Sequence, residues 1–399
     1  MKKPELLAPA GNLEKLKIAL LYGADAVFLG GKAFSLRARA SNFSIDDISE
    51  AVTFAHNLNK KIYVTTNIFP HSEDLEGLEK YLKTLEEIGV DAIIAASPAV
   101  IRTARASTNL EIHVSTQQSI TNAKAIDFWA QRDVKRIVLA REVSLNELAE
   151  ITPKSAIDLE VFIHGGMCVS YSGKCTLSNS MAERDANRGG CAHSCRWNYD
   201  LFHEGEKQNT SMPFSMASKD LQSVKYISRL IDLGVDSLKI EGRMKSMHYI
   251  ATVVSTYRKL IDDITGEIDM DLPSYLLEIK KAENRMTSKG FMEGMTDVDE
   301  QLYNLQSEQP TQEFIGIIRE VDSQKGTAIV EQRNYFKDGD LVEVFSPNFQ
   351  PTAFMVENMK DADTGEPLAV ARHPQQRIEI SIPLPVSSYD MMRKSRHTQ

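Results

Sequence analysis

The chain has 399 residues, of which 42% are apolar and 25% charged, and a formal net charge of −9. It is too long for one average domain and has the composition of an ordinary soluble globular protein. The acidic balance excludes an indiscriminate nucleic-acid coat, and no apolar run has the length of a membrane span.

The opening MKKPELLAPAGN has two lysines but no apolar signal core behind them. A cytoplasmic, reducing location is therefore expected, and structural disulfides are not. Local basic groups could still contact phosphates. Arg184, Arg188 and Arg196 cluster in one stretch, and Lys239, Arg243 and Lys245 share the string KIEGRMK.

The first two-thirds of the chain alternates short β-branched strands with amphipathic helices. ELLAPAG reads as the first strand, and Leu13, Leu16 and Leu20 mark the next helix. GADAVFLGG, KIYVTTNIF, GVDAIIAAS, EIHVSTQ, RIVLARE and LEVFIHGG continue the series, with a helix stripe at Leu75, Leu78, Leu82 and Leu85. GVDSLKIEGR supplies an eighth strand, and Ile250, Val253, Val254, Tyr257, Leu260 and Ile261 mark its helix. Continuous apolar strands imply a buried parallel sheet. The expectation is an α/β fold, a (β/α)8 TIM-type barrel over residues 1–266 with room for distortion around its long seventh loop. An open doubly wound sheet is the runner-up, weakened because no GxGxxG follows the first strand.

Residues 267–312 read as a helical connection that packs back on the barrel. From 313 to 399 the pattern changes to short strands, namely EFIGIIREVD, GTAIVEQ, DLVEVFSP, AFMVENMKD and RIEISIPLP. A small all-β barrel or sandwich is expected there, with RKSRHTQ as a frayed tail.

All four cysteines lie in one window, Glu160 to Trp197. Six residues separate Cys168 from Cys175, fifteen separate Cys175 from Cys191, and three separate Cys191 from Cys195. Thiolates bind soft or borderline metals, and four of them suit a closed iron–sulfur cluster or a zinc ion. The last pair alone has zinc-ribbon spacing, so both metals stay open. EVFIHGG reads as a strand ending at Gly165-Gly166, and Ser170, Tyr171, Ser172 and Ser178 offer hydroxyls to sulfur.

The string EVFIHGGMCVSYSGKCTLS resembles the signature of the collagenase-like peptidases, family thirty-two of the unassigned (U) peptidases. FSLRARASNF at 34–43, GGCAHSCRWNY at 189–199 and SLKIEGRMKSMHY at 237–249 resemble its tRNA-hydroxylation branch. The resemblance runs from Glu5 to near the C-terminus. It implies hydroxylation of the wobble uridine of certain tRNAs to 5-hydroxyuridine, prephenate as hydroxyl donor, and a [4Fe-4S] cluster. The implied partners are tRNA and prephenate, and the resemblance leaves room for a second family member as partner subunit. Two positions depart from the pattern: Gly166 stands where Ala or Ser is usual, and Ala217 where Asn is frequent.

In such a barrel, chemistry sits at the C-terminal ends of the strands. The polar residues there are Asn67, His71, Gln117, Gln118, Arg141, Glu142, His164, Glu241 and Arg243. His164 and Glu241 are the candidate catalytic groups. Arg37, Arg39, Asn67, His71, Gln117, Arg196, Lys219, Lys239 and Arg243 are the candidate substrate contacts. Arginine forks hold carboxylates in pairs of bonds, which suits Arg37 and Arg39 to a dicarboxylate such as prephenate; pairing with Asp46 or Asp47 is the plain alternative. Lys239, Glu241 and Arg243 alternate along a strand and are expected to face one side.

Two other functions compete. A peptidase would need a nucleophile, and only a Cys168–His164 pair is conceivable, since neither HExxH nor GxSxG occurs. A non-enzymatic RNA-binding protein with a zinc-braced loop is the other.

Overall fold

The computed structural model describes residues 2–36, 42–208, 214–282, 285–302, 312–347 and 349–395. Seven parallel strands come first: β1 Glu5–Pro9, β2 Ala26–Gly30, β3 Lys61–Thr66, β4 Ala92–Ala95, β5 Glu111–Val114, β6 Arg136–Val138 and β7 Asp158–Gly165. The eighth strand, Ser237–Ile240, pairs in parallel with both β1 and β7, so the sheet closes into a barrel.

Local chemistry starts and stops the surrounding helices. Ser44 caps Ile45–Asn57: Asp47 N donates to its Oγ at 3.1 Å, and Ser44 N donates back to Asp47 Oδ2 at 2.8 Å. Leu78–Ile88 ends at Gly89, whose φ of 88° is costly for any side chain. Leu78, Leu82 and Leu85 bury the inner face of that helix, whereas Leu75 lies outside it, in a short 3-10 turn, and is exposed. The expected four-leucine stripe is thus a three-leucine one, because Gly77 starts the helix only at Leu78.

The barrel interior holds charge as well as hydrocarbon. Lys239 Nζ stands 2.6 Å from Glu160 Oε1, and Arg136 Nη1 stands 3.2 Å from Glu160 Oε2. Arg136 also pairs with Glu5, which accepts from Tyr63 Oη at 2.6 Å and from Ser237 Oγ at 2.9 Å. Burial opposes ionisation of Glu160, but Lys239 and Arg136 outweigh it and hold the carboxyl below its usual range.

The barrel is irregular where expected. Pairing of β6 with β7 ends at Glu160, and the last residues of β7 pair instead with an antiparallel strand, Asp220–Gln222. Thr287–Ser288 adds to that strand's other side. The eighth strand shifts register between Lys239 and Ile240, opposite His164.

After the helix Leu272–Lys280, the chain forms a curved antiparallel sheet of seven strands, a half-barrel. Its core includes Ile315, Ile318, Val330, Phe336, Val344 and Met392. Met391–Ser395 is a strand in the middle of this sheet, between Gln312–Asp322 and Leu341–Ser346. The expectation of a fray beginning at Arg393 is therefore wrong for 393–395, and residues 396–399 lie outside the described ones. Two Met residues and a fully buried Arg393 fix the strand. The guanidinium lies 4.2 Å over the Phe345 ring and pairs with Glu278 and Glu343. Tyr22 Oη donates to the Phe345 and Tyr389 carbonyls at 3.2 and 3.0 Å, which docks the sheet on the barrel.

Lys239→Met should destabilise the protein by about 3 kcal/mol or more in chemical denaturation, because Glu160 would keep one cation where it now has two. A loss below roughly 1 kcal/mol would show that the interior network contributes little.

Candidate active site at the cysteine loop

The cysteine excursion leaves the barrel at Gly165. Its φ is +103°, and a Cβ there would stand 2.4 Å from the Glu241 carbonyl oxygen, so only glycine fits. Gly166 differs. A Cβ there would meet Arg196 Nη2 at 3.5 Å and Asp220 Oδ1 at 4.0 Å, both ordinary contacts. The Ala or Ser expected from the family pattern is sterically compatible with this backbone.

Three barrel loops pin the excursion. Glu142 receives Ser172 N at 3.0 Å and Ser172 Oγ at 2.8 Å, one on each carboxylate oxygen. Gly173, with φ of +75°, lies directly on the backbone of Gln117. Phe69 N donates to the Asn187 carbonyl at 3.0 Å, and Arg188 pairs with Asp74 and Glu73 at 2.8 and 3.2 Å.

All four cysteines are free thiols. Cys168 reaches solvent, yet the packed atoms around its sulfur push the thiol up while Arg141 pulls it down, and Cys191 and Cys175 push it further up. Burial likewise raises Cys195, Arg196 lowers it, and the other three cysteines raise it. The four thiols thus share one electrostatic neighbourhood. Among the described residues, however, no three His, Cys, Asp or Glu side chains stand together at the spacing of a metal site. Ser178, almost fully buried, accepts from Ala192 N at 3.0 Å and lies 3.9 Å from Cys191 Sγ.

As a donor set, the thiols fit an iron–sulfur cluster or zinc. They come from one excursion, carry no disulfide, and repel one another as thiolates, which a bound cation reverses, but their positions here are not those of a closed metal site.

The other candidates divide into groups. Asn67 Nδ2 donates to Gln117 Oε1 at 2.8 Å, and Asn67 Oδ1 accepts from Leu36 N at 3.2 Å. Gln117 Nε2 is buried and has no hydrogen-bond partner among the described residues, leaving an amide donor at the barrel mouth. Arg243 reaches the Leu36 carbonyl and Ser35 Oγ at 3.4 Å and Asn42 Oδ1 at 2.7 Å, so it touches the described residues on both sides of 37–41. Arg37 and Arg39 lie outside the described residues. His71 is exposed on the loop after β3. Lys219 lines a small cavity of about 50 Å³ together with Cys168, Phe291 and Glu300.

Lys239 stands apart from the mouth. It is buried inside the barrel against Glu160, so its substrate role gives way to a structural one, and the expected alternation with Glu241 and Arg243 stops at the register shift. His164 is also buried. Its Nδ1 lies 3.2 Å from Tyr257 Oη, and burial lowers its pKa to about 3 despite Asp220, so the ring is neutral near pH 7. Glu241 N donates to the His164 carbonyl at 2.8 Å, and the residue is half-buried.

Sequence reading passed over Asp220 and Arg285, which meet at the mouth 3.5 Å apart. Asp220 directly follows the candidate contact Lys219, so its place was within reach. Arg285 had no signal, because only the added strand Asp220–Gln222 brings the two together.

A family model for peptidase family U32 matches residues 11–302, and one for the U32 C-terminal domain matches residues 310–393. The chain belongs to peptidase family U32. It is 47% identical to tRNA hydroxylation protein P1 of Bacillus subtilis (strain 168), covering 99% of this chain and 96% of that protein. It is 33% identical to tRNA hydroxylation protein P of Escherichia coli (strain K12), covering 96% and 94%. The 23S rRNA 5-hydroxycytidine C2501 synthase of Escherichia coli (strain K12) is 38% identical, over 66% of this chain and 40% of that protein. In this U32 chain the matched region thus takes in both the barrel and the C-terminal sheet.

The two adjacent glycines should respond differently to the same change. Gly165→Ala is expected to cost about 2 kcal/mol or more in thermal or chemical unfolding, and Gly166→Ala to stay within about 0.5 kcal/mol of the parent. Equal effects would contradict the packing of Gly165 on Glu241.

Proposed function

We propose that this U32 protein is a tRNA-modifying enzyme that hydroxylates C5 of a wobble uridine in the cytoplasm. Prephenate gives the hydroxyl, and Cys168, Cys175, Cys191 and Cys195 hold a [4Fe-4S] cluster. The observation that carries the reading is the likeness to tRNA hydroxylation protein P1 across 99% of the chain, cysteine excursion and C-terminal sheet included. The likeness to an rRNA hydroxycytidine synthase fits the same chemistry, since both names describe hydroxylation of an RNA.

The sum of the reaction is base C–H plus donor C–OH giving base C–OH plus donor C–H. It balances without another oxidant. A cluster held by the thiols would supply one-electron redox chemistry. The chain itself supplies position. Gln117 offers its buried amide donor, and Arg141 and Arg196 bring positive charge to the thiols. Neutral His164 can donate or accept a hydrogen bond without adding charge. Phe291 and Lys219 line the cavity beside Cys168, an apolar surface and a cation of the kind that seats an unstacked nucleotide.

The test is nucleoside analysis of tRNA from a strain lacking this chain and any redundant homologue. Loss of 5-hydroxyuridine-type nucleosides is expected, and an unchanged profile sinks the proposal. Anaerobic purification should give a brown protein containing iron and sulfide, and Cys→Ser at any of the four positions should lose the metal. A colourless protein with one zinc per chain would favour the zinc-braced alternative.

A further inference from the structure

The cysteine side of the mouth carries more positive charge than the thiols alone call for. Asp220 is 4% exposed. Its Oδ2 accepts from Lys245 Nζ at 3.1 Å, and its Oδ1 lies 3.5 Å from Arg285 Nη1. Arg196 comes to the same point from the excursion, since a Cβ on Gly166 would touch both Arg196 Nη2 and Asp220 Oδ1. The Arg196 guanidinium makes no hydrogen bond or close ion pair with another described residue. Among the described residues, three cations from three segments therefore surround one carboxylate.

That arrangement is costly by itself. Like charges brought together away from bulk water repel. Burial holds the Lys245 ammonium below the usual lysine range against the pull of Asp220, and Arg285 and Arg196 push it the same way. Part of the excess faces the thiols, because Arg196 senses Cys195 and Cys168 as well as Asp220. Arg285 and Lys245 pair with Asp220 instead. Guanidinium forks match the two oxygens of a carboxylate or phosphate. Gly166 puts no side chain of its own beside Arg196 and Asp220.

We infer that Arg196, Arg285 and Lys245, arranged around Asp220, form an oxyanion site that takes the carboxylate of a small organic acid. The inference rests on the proposed function, in which that acid is the hydroxyl donor. A phosphate of the RNA is the other source of the same chemistry. The depth of Asp220 favours the small acid, because a polymer backbone follows the surface.

The experiment uses full-length protein, with Arg285→Gln and Lys245→Gln as variants. Each is titrated calorimetrically with prephenate, inorganic phosphate and a tRNA anticodon stem-loop, and melted with and without prephenate. Prephenate affinity should fall about tenfold or more in either variant, the scale of one charge-assisted hydrogen bond, while stem-loop affinity changes less than about threefold. Without ligand, Arg285→Gln should melt at or above the parent temperature, because a repelled cation is gone. Unchanged prephenate and phosphate binding in both variants overturns the site. So does a ligand-free Arg285→Gln that melts lower while no anion binds the parent, since Arg285 is then only a structural ion pair. A loss confined to the stem-loop also overturns it, in favour of RNA phosphate. If phosphate binds the parent and weakens tenfold in the variants while prephenate never binds, the oxyanion site stands and the hydroxyl-donor reading falls.

Discussion

The two hydrogen bonds from Ser172 to the Glu142 carboxylate hold the centre of this molecule together. They join a long irregular excursion to the rigid end of a barrel strand. An excursion of this length has no core of its own and would otherwise sample many shapes. With Glu142 and Gln117 as anchors on one side and Asp74 on another, the stretch that carries the four thiols is tied to the barrel end. The barrel mouth thus positions the cysteine excursion, with the Gln117 amide, Arg141 and Arg196 beside it.

Below the mouth, the barrel solves a different problem. A parallel barrel is usually filled with layers of branched side chains. Here Glu5, Arg136, Glu160 and Lys239 take part of that space as two anions and two cations. Removing one member would leave a charge stranded in a medium that solvates it poorly, so the network specifies its own composition more than it adds stability. The residues of the barrel mouth stand above this charged layer.

Much of this was legible in the amino-acid order. The eight strand signals fell where the strands are, since buried parallel strands leave an unmistakable apolar signature. The bunching of four cysteines identified the excursion. Lys239 was misplaced because alternation reports which side of a strand a residue takes, not how deep in the barrel it lies. Arg393 was misread because Lys, Arg and His near a terminus look like solvated tail, and nothing local shows that Phe345, Glu278 and Glu343 await the side chain. The meeting of Asp220 with Arg285 depends on an inserted strand of three residues, too short for any periodicity to announce.

The middle position of Met391–Ser395 has a consequence for biosynthesis. Both neighbouring strands lie far upstream, yet neither can complete its ladder until those five residues have left the ribosome. The barrel strands end at Ile240 and can close much earlier. Until Met391–Ser395 is made, a nascent chain would thus be a barrel trailing an open sheet with bare hydrogen-bonding edges. Unpaired strand edges of that kind invite association with other chains, and here they close when Arg393 reaches Glu278, Glu343 and the Phe345 ring.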